Sequence, residues 1–200
     1  MHWGSIRHNG EINRKKPINR IIDYMKTNQP VMNDFAREFI EQSAYRLDES
    51  SRMIRKCFEE LREEDIWSRP NPASNSIGNL ILHLCGNITQ YAIAALRHID
   101  DQRDRDAEFA ARHGSDKTSL LNKLLETVEG AKRVIRQLDE QDLLHVRSVQ
   151  GFRLSGTGII LHVVEHYSYH TGQIAFWTKI IKEKDLGFYD GLDLNQKNEP

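Results

Sequence analysis

Nine residues late in the chain decide how it is read: His162, Val163, Val164, Glu165, His166, Tyr167, Ser168, Tyr169 and His170. Three histidines recur at steps of four within an apolar run. At about 100° per residue, each step of four advances roughly 40° around a helix, so His162, His166 and His170 form one slowly drifting stripe. A buried imidazole must find a partner, and helical histidines four apart converge on a single ion. The stretch predicts a core-facing helix with a metal-binding face. Spacing alone does not choose between His162 with His166 and His166 with His170.

Working outward, helical periodicity covers most of the chain after residue 30. From Asn33 to Glu64, Phe35, Phe39, Leu47, Ile54, Phe58 and Leu61 keep one stripe inward. Trp67, Arg69, Pro70, Asn71 and Pro72 end that helix, and Ser74, Asn75 and Ser76 offer caps for a second one running from Ser76 to Ile99. The charged residues Asp100, Asp101, Arg103, Asp104, Arg105 and Asp106 mark a solvated connection with partial helix between Ile99 and His113. A third helix starts near Asp116 and ends near Gln141, with Leu121, Leu124, Leu125, Val128, Val134, Ile135 and Leu138 inward. Val146, Val149, Gly151 and Phe152 predict an extended or hairpin-like connector between Leu143 and Leu154. The fourth helix begins between Ser155 and Gly158, carries the histidine stripe, and stops before Gly187. Four long amphipathic helices predict an all-α protein, an antiparallel four-helix bundle.

The organisation expected is an accessory, poorly ordered N-terminal arm over residues 1–32, a bundle over residues 33–184 and a polar tail over residues 185–200. The arm carries Arg14, Lys15, Lys16 and Arg20. Two hundred residues suit one domain with a real core. With 28 Lys and Arg against 29 Asp and Glu, no strong attraction to nucleic acid or an anionic membrane is expected. Cys57 and Cys85 both fall in helical segments, which argues for free thiols in a reducing compartment. The first ten residues hold no apolar leader, so the expected location is cytoplasmic.

A catalytic tetrahedral metal takes three protein ligands and keeps one position open, so a helical histidine pair needs a third donor from elsewhere. His83 offers it, on a face shared with Leu80 and Asn87. Taken alone, His83 would read as a core histidine satisfied by a carbonyl or carboxylate. Two helices that each set histidine among apolar residues make the joint metal reading the stronger one. Gln173 lies nearly in line with His166 two turns on, and Glu165 lies roughly 100° from it, so either can support a ligand from outside, with Glu165 better placed for solvent. Cys85 is turned about 200° from His83 and reads as a packed thiol.

The block Trp67, Ser68, Arg69, Pro70, then Ser76, Ile77, Gly78, Asn79, Leu80, Ile81, Leu82, His83, Leu84, together with the run from His162 through Thr171, Gly172, Gln173 and Ile174, resembles the DinB-like superfamily, over residues 33–184. That group includes bacillithiol- and mycothiol-dependent transferases. The resemblance implies an up-down-down-up bundle, a homodimer, and a divalent metal held by one histidine of the second helix and two of the fourth. Carried over by position, the ligands are His83, His166 and His170, with His162 normally beside the metal rather than on it; Asn87, Gln173 and Glu165 stay the candidates from helical position to support the ligands. The basic arm has no counterpart in the usual pattern.

Three histidines suit zinc or nickel, with iron or manganese within the same ligand chemistry. Such a site lowers the pKa of a bound thiol or water. The expected function is a metal-dependent transferase that activates a low-molecular-weight thiol against an electrophilic small molecule. The alternatives are a metallohydrolase, for which Glu165 would have to reach inward as base, and a non-enzymatic protein stapled by its metal.

Overall fold

The computed structural model describes Met1 and residues 32–198; apart from Met1 and Met32, the arm expected over residues 1–32 lies outside the described residues. Helix α1 (Asp34–Glu60) starts where the Asn33 side chain accepts from the Ala36 amide at 2.8 Å. Ala36, Ile40, Ala44, Leu47, Ile54 and Phe58 form its buried stripe. Phe35, expected inward, is 83% exposed, because the stripe begins one residue later at Ala36. The helix also stops short of Glu64. Leu61 turns to extended geometry and buries its side chain, and the short α2 (Glu63–Ile66) follows, with the Asp65 carboxylate accepting from the Arg62 amide at 2.8 Å.

Helix α3 (Ile77–Ile88) opens on a reciprocal cap in which Ser76 Oγ accepts from the Asn79 amide and Asn79 Oδ1 accepts from the Ser76 amide. The unbroken α-helix expected to Ile99 gives way to a π-helical segment, Thr89–Ala95, and the backbone turns left-handed at His98 with φ 54°. A short helix, α4 (Arg105–Ala110), forms within the charged connection. Helix α5 (Lys117–Ile135) is capped by Asp116 and ends short of Gln141, where Asp139 caps a separate turn, α6 (Glu140–Leu144). Strands β1 (Val146–Val149) and β2 (Phe152–Ser155) make the expected hairpin, with Val146 opposite Ser155 and Val149 opposite Phe152. Its two-residue turn, Gln150 and Gly151, has φ of 50° and 83°, the left-handed pair that matches strand twist. Helix α7 (Gly156–Lys182) begins in close packing: a Cβ at Gly156 would lie 2.3 Å from the Asp142 carbonyl oxygen.

Side-chain pairs fix the helix directions. Ser51 meets Tyr167 and Cys57 meets Thr178, so α1 and α7 run the same way. His83 meets His166 and Asn87 meets His162, so α3 opposes α7. Cys85 meets Thr127 and Gly130 faces Ile93, so α5 runs with α3. Asp48 pairs with Lys132 and Glu41 with Arg136, so α5 opposes α1. The order is up-down-down-up. Two consecutive parallel helices cannot be joined by a tight turn, and the chain from Ile99 to Asp116 must travel back along the bundle.

The core is built from Leu47, Ile54, Ile81, Leu84, Ile88, Leu120, Leu124, Ile159 and Val163, with Tyr167 buried among them and its hydroxyl 3.0 Å from Ser51 Oγ. Beyond α7, Leu186 is buried, the Phe188 carbonyl accepts from Arg52 at 2.9 Å, and Lys56 donates to the Gly187 carbonyl. Among the described residues no helix is long and apolar enough to cross a membrane.

Candidate metal centre

Where α3 crosses α7, three imidazoles meet. One ligand nitrogen from each of His83, His166 and His170 lies within 4.8 Å of the other two, and His83 Nε2 is 2.9 Å from His166 Nε2. The ring centroids stand 5.0 Å apart for His83 with either partner and 4.5 Å apart for His166 with His170. His83 and His170 are buried, while His166 retains partial exposure. The cluster can hold a metal ion.

The outer nitrogens of two rings are engaged. His170 Nδ1 donates to Gln173 Oε1 at 2.7 Å, which leaves its Nε2 lone pair free. His83 Nδ1 lies 3.0 Å from Glu108 Oε2, a carboxylate that can only accept. Arg103 grips that carboxylate from behind, its Nε 2.7 Å from Oε1 and its Nη2 2.9 Å from Oε2. Burial pushes the Glu108 carboxyl up, but the hydrogen bonds and charge of Arg103 and His83 outweigh it and hold it below the usual range.

Burial also acts on the rings. It drives His166 down to about 3, helped by the neighbouring imidazoles and Arg103, and it lowers His170 despite the opposing hydrogen bond that His170 donates to Gln173. Neutral imidazoles with free lone pairs are what a metal needs.

His162 sits one turn along α7 from this cluster. Its Nε2 is 3.2 Å from Asn87 Nδ2, its ring stacks on Tyr91 at 4.2 Å, and its centroid is 5.3 Å from that of His166. The π-helical segment carries Tyr91 into this stack, and the Tyr91 hydroxyl donates to Gln150 Oε1 in the hairpin turn. Of the outer candidates, Gln173 and Asn87 touch histidines, whereas Glu165 is exposed on α7. Asn87 Oδ1 is buried without a hydrogen-bond partner among the described residues. Cys85 is a buried free thiol, pushed up to about 11 by burial.

Sequence reading missed Arg103 and Glu108, both in the connection assigned to solvent. Glu108 is only 7% exposed. The residues that fasten this connection include several in the block around Trp67 and Ser76. Asn79 Nδ2 donates to the carbonyls of Glu108 at 2.8 Å and Ala111 at 2.9 Å, and Arg69 Nη2 donates to Asn79 Oδ1 at 2.6 Å and the Phe109 carbonyl at 3.1 Å. The Trp67 indole donates to the Ser115 carbonyl and lies where a Cβ at Gly78 would come within 2.8 Å of it. The Phe109 ring packs against His83 with centroids 4.6 Å apart. The signal that could have found Glu108 is topological: a crossover between parallel helices must pass over a bundle face.

This helical order and crossover define a DinB-like all-α protein, and similar solved structures agree. A conserved protein from Enterococcus faecalis superposes with a TM-score of 0.62 at 17% identity, over 72% of this chain and 97% of that one. A DinB-like protein from Bacillus subtilis gives 0.57 at 16% identity, over 74% and 97%, and a DinB-like protein from Bacillus cereus gives 0.57 at 11%, over 72% and 90%. The chain belongs to the DinB-like family described as protein of unknown function DUF1572, whose model matches residues 34–189. No curated protein matches it.

Proposed function

We propose that the protein is a metal-dependent transferase that joins a low-molecular-weight thiol to an electrophilic small molecule. His83, His166 and His170 would hold the divalent ion, zinc or nickel by ligand chemistry. When bound, the ion supplies Lewis-acid chemistry that lets a thiol ionise near neutral pH. In the transfer a sulfur–carbon bond forms and the bond from that carbon to a halide or an epoxide oxygen breaks; the thiol proton leaves with the halide or ends on the ring-opened oxygen.

The chain's own residues prepare the site. Glu108 and Gln173 orient His83 and His170, and burial keeps His166 neutral. The observation that carries the reading is the cluster of three imidazole donors, with no free carboxylate beside it among the described residues. Glu108 is tied to Arg103 and His83, and Glu165 is exposed, so the general base that water activation would call on is not aimed at the ligands. A thiol needs no such base once its proton has left.

The test is conjugation by zinc-loaded and nickel-loaded protein with cysteine, glutathione, bacillithiol and mycothiol against epoxide, haloalkane and bimane electrophiles. Conjugate formation that depends on added metal and is lost in His83→Ala is the expected result. No conjugation with any thiol in either metal form would overturn the proposal.

A further inference from the structure

The geometry points to Glu108 as a positioning residue that holds His83 in its Nδ1–H tautomer, with Arg103 fixing the carboxylate and Gly86 making room for it. The consequence for metal affinity rests on the metal reading above; the tautomer does not.

Two groups compete for His83 Nδ1. Glu108 Oε2 and Arg103 Nη2 each lie 3.0 Å from it. If Nδ1 carried a lone pair, Arg103 would donate to it and the carboxylate would face that lone pair at contact distance. If Nδ1 carries the hydrogen, the carboxylate accepts it in a charge-assisted bond, and Arg103 directs its hydrogens at Glu108, which it already meets at 2.7 and 2.9 Å. The second arrangement satisfies the buried carboxylate fully. It also exposes the Nε2 lone pair of His83 to His166 and His170.

Gly86, one turn past His83 on α3, explains how a charged pair fits here. A Cβ at this position would lie 1.8 Å from Glu108 Oε1 and 2.8 Å from Arg103 Nε. Any larger residue must push the carboxylate off the helix. On the other side, Asn79 holds the Glu108 carbonyl and so fixes the backbone from which the side chain reaches in. Three features of distant sequence position, a glycine, an asparagine and a crossover, thus converge on one hydrogen bond. Removing such an outer partner from a metal-binding histidine weakens metal binding by about 10- to 100-fold.

The experiment uses the full chain, free of metal, in long-range 1H–15N spectra of its histidines, with His83 assigned by loss of its signals in His83→Gln. The wild type should show His83 protonated at Nδ1. Glu108→Gln, which keeps an accepting oxygen, should retain that state. Glu108→Ala and Gly86→Ala should shift it toward Nε2–H, with helical content checked by circular dichroism. Gly86→Ala keeps both charges, so it tests the point even if Glu108→Ala does not fold. Zinc competition against a chromophoric chelator should then show about a 10- to 100-fold loss in Glu108→Ala and Gly86→Ala, none in the exposed Glu126→Gln, and no measurable site in His83→Ala. An Nε2–H signal in the wild type, or an unchanged tautomer in Gly86→Ala, would overturn the inference. Wild-type protein that binds no zinc would instead remove the metal reading and leave the tautomer result standing.

Discussion

Nε2 of His83 and Nε2 of His166 face each other at 2.9 Å across the contact of α3 with α7. Two ring nitrogens approach this closely only when one lends a proton or a cation sits between lone pairs. The other ring nitrogen of His83 faces Glu108, and burial lowers the pKa of His166 to about 3, so the His166 ring adds no positive charge that would repel an ion at neutral pH.

Metal should therefore contribute to stability. With free zinc at about 100 times its dissociation constant, linkage adds about 2.7 kcal/mol, or roughly 5–10 °C in Tm for a chain of this size. Differential scanning calorimetry with and without chelator measures it, and an unchanged Tm would count against a site formed only in the folded state.

Acid should destabilise the metal-free protein in two stages. Half-buried, neutral His166 has a folded pKa near 3 against 6.5 unfolded, and His162 and His170 are also lowered by burial. The unfolded chain binds those protons first, so stability is full above pH 6.5 and falls below it, by on the order of 2–3 kcal/mol near pH 4. Asp65, where burial is outweighed by Lys182 and Arg62, sits at about 2 against 3.8. Its contribution is present above pH 3.8 and disappears as pH falls through 2. Urea midpoints from pH 8 to pH 3 should drop already below pH 6.5; a flat profile down to pH 4.5 would contradict this.

Asn79→Ala should unfold the clasp on the crossover. It strips partners from the carbonyls of Glu108 and Ala111 and from half-buried Arg69, at a cost of about 2–4 kcal/mol. Thermal denaturation checks this, and a loss below about 0.5 kcal/mol would show that Asn79 is dispensable.

Gly78→Ala tests the packing of Trp67 on α3. Its Cβ would meet the indole ring at 2.8 Å, an overpacking cost of about 1–3 kcal/mol. A red shift and quenching of Trp67 emission should accompany the lower Tm. Unaltered fluorescence and stability would mean that the indole moves aside freely.

The helices were legible because their apolar periods are long: Ala36 to Phe58 and Leu120 to Val134 each keep one face inward. So was the cross-helix meeting of His83 with α7, since isolated histidines rarely occupy core stripes without partners. The π-helical segment was not, because backbone hydrogen-bond register leaves no mark in residue pattern at Thr89–Ala95. Glu108 and Arg103 were hidden for another reason. A charge cluster looks the same in sequence whether solvated or buried in pairs, and only the parallel order of α3 and α5 forces this one across the site.

The central claim is a three-histidine metal centre, and elemental analysis of purified wild type beside single alanine variants tests it most directly. The wild type and His162→Ala should each carry about one divalent ion per chain, and His83→Ala, His166→Ala and His170→Ala should lose it. Full metal content in folded His83→Ala would contradict the claim.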